Sequence, residues 1–153
     1  MQEPDEYDRK ILALLQKNNK TTAEEIGTII SLSTSAVQRR LKKLRDDKII
    51  EADISVVSSR ALGFNISCIV DVSLHVGSSK VIDSFKNLVS GLPEVSQCYY
   101  VTGIYDFVLI VNTRDMKHYE EFSKKYLMDN EDVKQFYTHV MMDKVKFELA
   151  INL

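Results

Sequence analysis

Leu32-Ser33-Thr34-Ser35-Ala36-Val37-Gln38-Arg39-Arg40-Leu41-Lys42-Lys43-Leu44-Arg45 reads as a helix with one apolar stripe and one basic face. At about 100° per residue, Val37, Leu41 and Leu44 share a side, while Ser35, Gln38, Arg39, Lys42 and Arg45 point away from it. Ser33 suits the N-cap, because its hydroxyl accepts from the unpaired N–H groups of the first turn. A helix starting there leads with Thr34, Ser35 and Gln38, short polar side chains that reach base edges or phosphates. A basic helix face is commonly just solvated. Here no acid interrupts it between Ser33 and Arg45, so the i,i+4 ion pairs of a merely solvated helix are not expected. The stretch therefore reads as a surface for duplex DNA. Thr34, Ser35, Gln38 and Arg39 are assigned to the major groove, and Arg40, Lys42, Lys43 and Arg45 to phosphate.

Upstream, two more helices complete a three-helix pattern. Asp5, with Asp8 three residues on, caps the first, whose stripe is Ile11, Leu12, Leu14 and Leu15; Asn18 and Asn19 stop it. Thr22 and Glu25 form a capping box for a short second helix that turns Ile26, Ile29 and Ile30 inward. Ser31-Leu32 is the brief connection of a helix-turn-helix unit. Asp46 and Asp47 sit poorly at the negative end of a helix dipole and limit how far the basic surface extends.

Downstream of Lys48 the period changes. Ile49, Ile50, Ala52, Ile54 and Val56-Val57 suggest extended chain, a hairpin or single strand acting as wing or hinge. This divides the chain into a helix-turn-helix domain (1–51), a wing or hinge linker (52–64) and a second domain (65–153). In that last domain the order strand, helix, strand occurs twice. Alternation marks strands at 66–74, 95–102, 107–111 and 133–143. Helical stripes lie at Val81, Ile82, Phe85, Leu88 and Val89, and at Met116, Tyr119, Phe122 and Tyr126-Leu127, the second capped by Asp115. Two such units most economically make one four-stranded antiparallel sheet with both helices on one face, an α+β, ferredoxin-like βαββαβ arrangement. Two helices cannot cover Ile69, Phe107, Leu109 and Val111 together, so the free face keeps apolar side chains and calls for a partner. A homodimer closing sheet on sheet is the simplest one, and it also sets two helix-turn-helix units against two half-sites about one helical turn apart.

Composition bounds the alternatives. At 153 residues with a formal net charge of −2, the chain cannot bind nucleic acid through its overall field, so the binding must be local. The acidic, polar start and the absence of any apolar run of membrane-spanning length point to a cytoplasmic, nucleoid-associated protein without membrane contact. Cys68 and Cys98 are not in metal-ligand spacing and read as reduced thiols; His75, His118 and His139 are scattered. Asp129, Glu131 and Asp132 read as a solvated loop, since Ca²⁺-loop spacing is missing. No phosphate-cradling glycine loop or nucleophile–base order stands out, so neither an enzyme, a metal site nor a cofactor is expected.

The order of Asp5-Glu6-Tyr7-Asp8-Arg9-Lys10-Ile11-Leu12, the stretch Leu32 to Leu44, Ile49-Ile50 then Val56-Val57 and Leu62-Gly63, and above all Val101-Thr102-Gly103-Ile104-Tyr105-Asp106-Phe107, resembles the Lrp/AsnC (leucine-responsive and asparagine regulator, feast/famine) family of transcription factors. The resemblance spans nearly the whole chain. It implies a winged or plain helix-turn-helix that binds double-stranded DNA, and a ligand-binding (RAM) domain that assembles dimers, often further into tetramers or octamers. It also implies a small-molecule effector, such as an amino acid, held in a cleft between neighbouring ligand-binding domains around the Gly-x-x-Asp turn. The positions carried over are Gly103, Ile104, Tyr105 and Asp106, with Thr138 on the last strand facing them. Gly103 lets backbone N–H groups approach a carboxylate, and Asp106 or a carbonyl receives an ammonium group. Gly and Asp are also what a plain hairpin turn wants.

Departures from the family pattern are specific. Thr34 stands where many members have Pro, Lys48 where a Gly closes the recognition helix, and Phe136 where many show the first Thr of Thr-x-Thr. Phe136 leaves two readings, a larger apolar cleft for leucine- or methionine-like ligands and a plugged, effector-blind one. The function expected is a sequence-specific, effector-modulated transcriptional regulator; an architectural nucleoid protein with little sequence discrimination is the alternative.

Overall fold

The computed structural model of the protein describes residues 3–153, so the first two positions of the 1–51 domain lie outside the described residues. The chain divides into two compact units, one running to Val56 and joined by Lys146–Leu153, the other Val57–Val145. The stretch Lys146–Leu153 at the C-terminus thus groups spatially with the helix-turn-helix.

In the first unit the helices are α1 (Glu6–Lys17), α2 (Ala23–Ile30) and α3 (Thr34–Asp46). Each begins at the cap the sequence displays. Asp5 and Thr22 form reciprocal capping boxes with Asp8 and Glu25, and Ser33 Oγ accepts from Ala36 N–H at 3.2 Å. Ile11, Ile26, Val37 and Leu44 make the buried centre, with Leu14, Leu15, Ile30 and Leu41 packed around it. The turn between α2 and α3 is tight. Ser31 takes left-handed dihedrals (φ 59°), and Leu32 N–H donates to the Gly27 carbonyl at 2.9 Å. After α3, Lys48 also goes left-handed (φ 58°), which brings the Ile49 and Ile50 N–H groups onto the Leu44 carbonyl.

The wing or hairpin expected after Lys48 does not form. Residues 51–57 are exposed and without ladder hydrogen bonds, because no neighbouring strand edge meets them. Asn19 Nδ2 donates to the Ile54 carbonyl at 3.3 Å instead.

The second unit follows a 3₁₀ turn at Arg60–Leu62 and contains β1 (Ile66–Leu74), α4 (Ser79–Ser90), β2 (Val95–Tyr100), β3 (Phe107–Thr113), α5 (Met116–Ser123) and β4 (Val133–Val140). α5 continues as a π-helical turn, Lys124–Met128. The strands are antiparallel in the order β2-β3-β1-β4, the ferredoxin-like arrangement. β4 ends three residues before the expected Asp143. Val140 pairs with Cys68 and Met141 N–H still reaches the Ser67 carbonyl, but β1 begins at Ile66 and offers nothing further.

Register decides the two faces. Cys68, Val70 and Val72 stand opposite Val111, Leu109 and Phe107, and these six are buried with Phe85 and Val89 of α4 and Tyr119 and Phe122 of α5. Phe107, Leu109 and Val111 are therefore covered by the helices, and Ile69, of the opposite parity, is left on the free face. That face carries Ile69, Val108, Ile110, Tyr99 and Tyr137. No helix among the described residues is long and apolar enough to cross a membrane.

Candidate nucleic-acid helix and effector turn

The exposed side of α3 presents Thr34, Ser35, Gln38 and Arg39, while Val37 and Leu44 are wholly or almost wholly buried beneath it. Ser33 and Ser35 hydroxyls lie 3.2 Å apart, and Arg39 has no ion-pair partner among the described residues. The leading face is thus rigidly mounted and open.

The cations behind it are not all free, as the unbroken basic run had suggested. Lys42 Nζ meets Asp46 Oδ2 at 2.6 Å, an i,i+4 pair, and Asp46 raises the lysine pKa. Arg45 Nε meets Asp53 Oδ2 at 3.0 Å. Asp46 lies just past the stretch that was acid-free, one helical turn from Lys42, which is why the run looked unpaired. Lys43 is exposed and engaged within the protein. The exposed pairs are weak and exchangeable for phosphate.

Arg40, expected to contact phosphate, is instead engaged within the protein. Its Nη1 lies 2.7 Å from Asp5 Oδ2 and 2.8 Å from Asp8 Oδ1, with the guanidinium 5.5 Å from the centre of the Tyr7 ring. Asp8 is the most enclosed partner, its side chain 13% exposed. The Asp8 N–H and then Arg40 hold the Asp5 carboxyl below the ordinary aspartate range. Arg40 therefore ties α3 to the N-terminal cap of α1 and positions the helix.

In the second unit, the turn between β2 and β3 is held by its own aspartate. Gly103 has φ 130°, a conformation L side chains rarely adopt. Asp106 Oδ2 accepts from Leu74 N–H at 2.8 Å, Asp106 N–H donates to the Val72 carbonyl at 2.9 Å, and Ser73 Oγ donates to the Ile104 carbonyl. These bonds fasten the turn to the end of β1. They leave Ile104 85% exposed at the tip and set the Tyr105 ring 5.8 Å from that of Tyr137.

Thr138 does not face this turn. It stands opposite Val70 on the helix-covered side and is hydrogen-bonded to the Tyr119 hydroxyl. Burial raises the Tyr119 pKa, so that phenol stays neutral. The residue of β4 that reaches the turn is Tyr137, which alternation alone could not single out from its neighbour. Phe136 is half-buried against the core. A depression of about 350 Å³, lined by Leu127, Met128, Val133, Lys134, Gln135 and Phe136, lies beside it.

Two family models match the chain, the AsnC-type helix-turn-helix domain over residues 5–45 and the Lrp/AsnC ligand binding domain over residues 67–151. An uncharacterised HTH-type transcriptional regulator of Sinorhizobium fredii is 46% identical over 149 residues, 95% of this chain and 88% of that protein. The DNA-binding transcriptional activator DecR of Escherichia coli is 27% identical, over 96% of this chain and 97% of its own. Among solved structures, a transcriptional regulator of Neisseria meningitidis in complex with L-methionine superposes with a TM-score of 0.90 at 26% identity, covering 97% of this chain and 96% of that one. Escherichia coli AsnC shares the fold, with a TM-score of 0.87 at 23% identity over 97% of this chain and 99% of its own.

Proposed function

The chain belongs to the Lrp/AsnC family of transcriptional regulators, and from that premise we propose that it recognises specific duplex sequences as a homodimer or higher assembly and responds to an amino-acid effector. The observation that carries the DNA reading is the exposed leading face of α3, with Gln38 and Arg39 open over a buried Val37. Arginine and glutamine are the side chains that read guanine and adenine edges bidentately. An architectural protein would depend on a broad set of phosphate contacts, yet Arg40 is committed to Asp5 and the enclosed Asp8 within the protein. That balance supports sequence readout over the architectural alternative.

Selection of duplexes from a random pool tests this. Gln38→Ala is expected to change the preferred sequence, whereas Lys42→Ala weakens all duplexes alike and lowers the salt slope by about one. Loss of binding in step with loss of folding in both variants refutes the assignment.

For the effector, the turn Gly103, Ile104, Tyr105 and Asp106 is the proposed contact, presented to a neighbouring copy. Thr138 is withdrawn from it. The methionine complex of the Neisseria meningitidis relative supports an apolar amino acid of the leucine or methionine type. Calorimetry with the common amino acids is expected to give saturable heat for one of these. Heat from none favours the effector-blind reading.

A further inference from the structure

The C-terminal residues 146–153 belong to the unit that carries α3, although the sheet lies between them in the sequence. The chain therefore passes between the two units twice, at Val56/Val57 and again at Val145/Lys146. The first passage is an exposed segment without secondary structure. The second is tied down. Ile151 N–H donates to Gln16 Oε1 at 2.7 Å and Gln16 Nε2 donates back to the Ile151 carbonyl at 3.0 Å. The glutamine amide serves one residue of the tail as a neighbouring strand would, supplying both donor and acceptor.

The tail is patterned for docking. Val145, Phe147, Leu149, Ile151 and Leu153 alternate with Lys146, Glu148, Ala150 and Asn152, the period of a one-sided extended segment. Phe147 and Leu153 are about half covered, at 52% and 46% exposure, while Val145 at the crossing is 93% exposed. Such an anchor is specific in geometry yet shallow, hence reversible.

We infer that residues 146–153 are a strap that docks on α1 through Gln16 and restrains the DNA-binding unit, so that release of the strap frees the recognition helix to reorient. A single flexible tether leaves a domain free to swing, and a second attachment closes the loop and removes most of that freedom. The strap stands on contacts within one unit; only its consequence for half-site spacing rests on the DNA-binding reading.

The test compares the full chain, its Gln16→Glu variant and a chain ending at Val145 by ¹⁵N relaxation and amide exchange. Glu keeps the size of the side chain and its helix preference but replaces the donor by an oxygen facing the Ile151 carbonyl. In the full chain the Ile151 amide is expected to be protected, and residues 6–46 to tumble with the sheet. Both variants are expected to shorten the correlation time of residues 6–46 by about two-fold, as for a domain on one flexible tether, with the sheet unchanged. On duplexes that the full chain selects from a random pool, moving the half-sites apart by half a helical turn is expected to abolish its binding and to cost the strapless chains far less. An unprotected Ile151 amide, or tumbling unchanged in both variants, overturns the strap. Contacts between the tail and α1 that appear only between differently labelled copies overturn it as an intramolecular device. If the full chain selects no duplex, the DNA reading fails while the relaxation result still decides the strap.

Discussion

Arg40 and Lys42 sit two positions apart on one helix, and their partners separate their roles. Arg40 bridges Asp5 and the enclosed Asp8, whereas Lys42 has only Asp46 on the open surface. Arg40→Ala is expected to lower the stability of the N-terminal unit by about 1–2 kcal/mol, between a surface pair and a charged hydrogen bond to an enclosed group. Once stability is allowed for, its salt slope for DNA should match the parent's; a slope lowered by about one would return Arg40 to the phosphate contacts. The capping carboxyls give a pH signature. Asp8 N–H and Arg40 depress the Asp5 pKa, and Thr22 N–H and hydroxyl depress that of Glu25. A carboxyl lowered on folding adds stability above its unfolded value and loses it as pH falls through the folded one. Thermal melts of the N-terminal unit are therefore expected to hold level down to about pH 5 and to fall from about pH 4 downward. Asp5→Asn with Glu25→Gln should flatten that fall, and an unaltered acid limb would refute the assignment. Lys48 supplies a third case. A non-glycine residue at φ 58° is strained, so Lys48→Gly is expected to raise the melting temperature, by about 0.5–1 kcal/mol in free energy.

At the scale of elements, what the sequence displayed was local. Asp5, Thr22, Ser33 and Asp115 cap the helices they were expected to cap, because a cap and the N–H that donates to it lie within three residues. What it concealed was nonlocal. The period-2 run at 52–57 states how a strand would face, not which edge would pair with it, and none does. Thr138 and Tyr137 alternate equally well, and only pairing with Val70 and Asp71 sends one to the helices and the other to Tyr105. The role of Gly27 has no local signature for the same reason. A Cβ there would stand 2.5 Å from the Leu32 carbonyl oxygen, a backbone atom of the α2–α3 turn that cannot swing aside. Gly27→Ala should cost about 1–3 kcal/mol by overpacking, read as early melting of the helical unit with the sheet's transition unmoved. A neutral substitution would mean the two helices cross with more room than they do.

For the whole molecule, the free face of the sheet is the surface through which the proposed homodimer would form. Ile69, Val108 and Ile110 form its apolar middle, with Tyr99 and Tyr137 exposed at the sides. Several of its polar groups pair with one another: Ser67 Oγ donates to Asn112 Oδ1 at 2.7 Å, Asn112 Nδ2 donates to Ser96 Oγ at 2.9 Å, and His139 Nε2 lies 3.0 Å from Asp71 Oδ2. Polar groups paired in this way can be covered without being stranded, which lowers the cost of burying the face against a copy of itself. Two recognition helices held by such a pairing would bind two half-sites with the second contact made effectively intramolecular. Ile110→Glu places a charge in the centre of that face while leaving the helix-covered core untouched. It is expected to yield a folded monomer by sedimentation equilibrium and to lower affinity for a palindromic duplex by about 10²-fold or more, with single half-site binding retained. A variant that sediments as the parent does would show that the copies associate through another surface, and the apolar centre of the sheet would then need a different occupant.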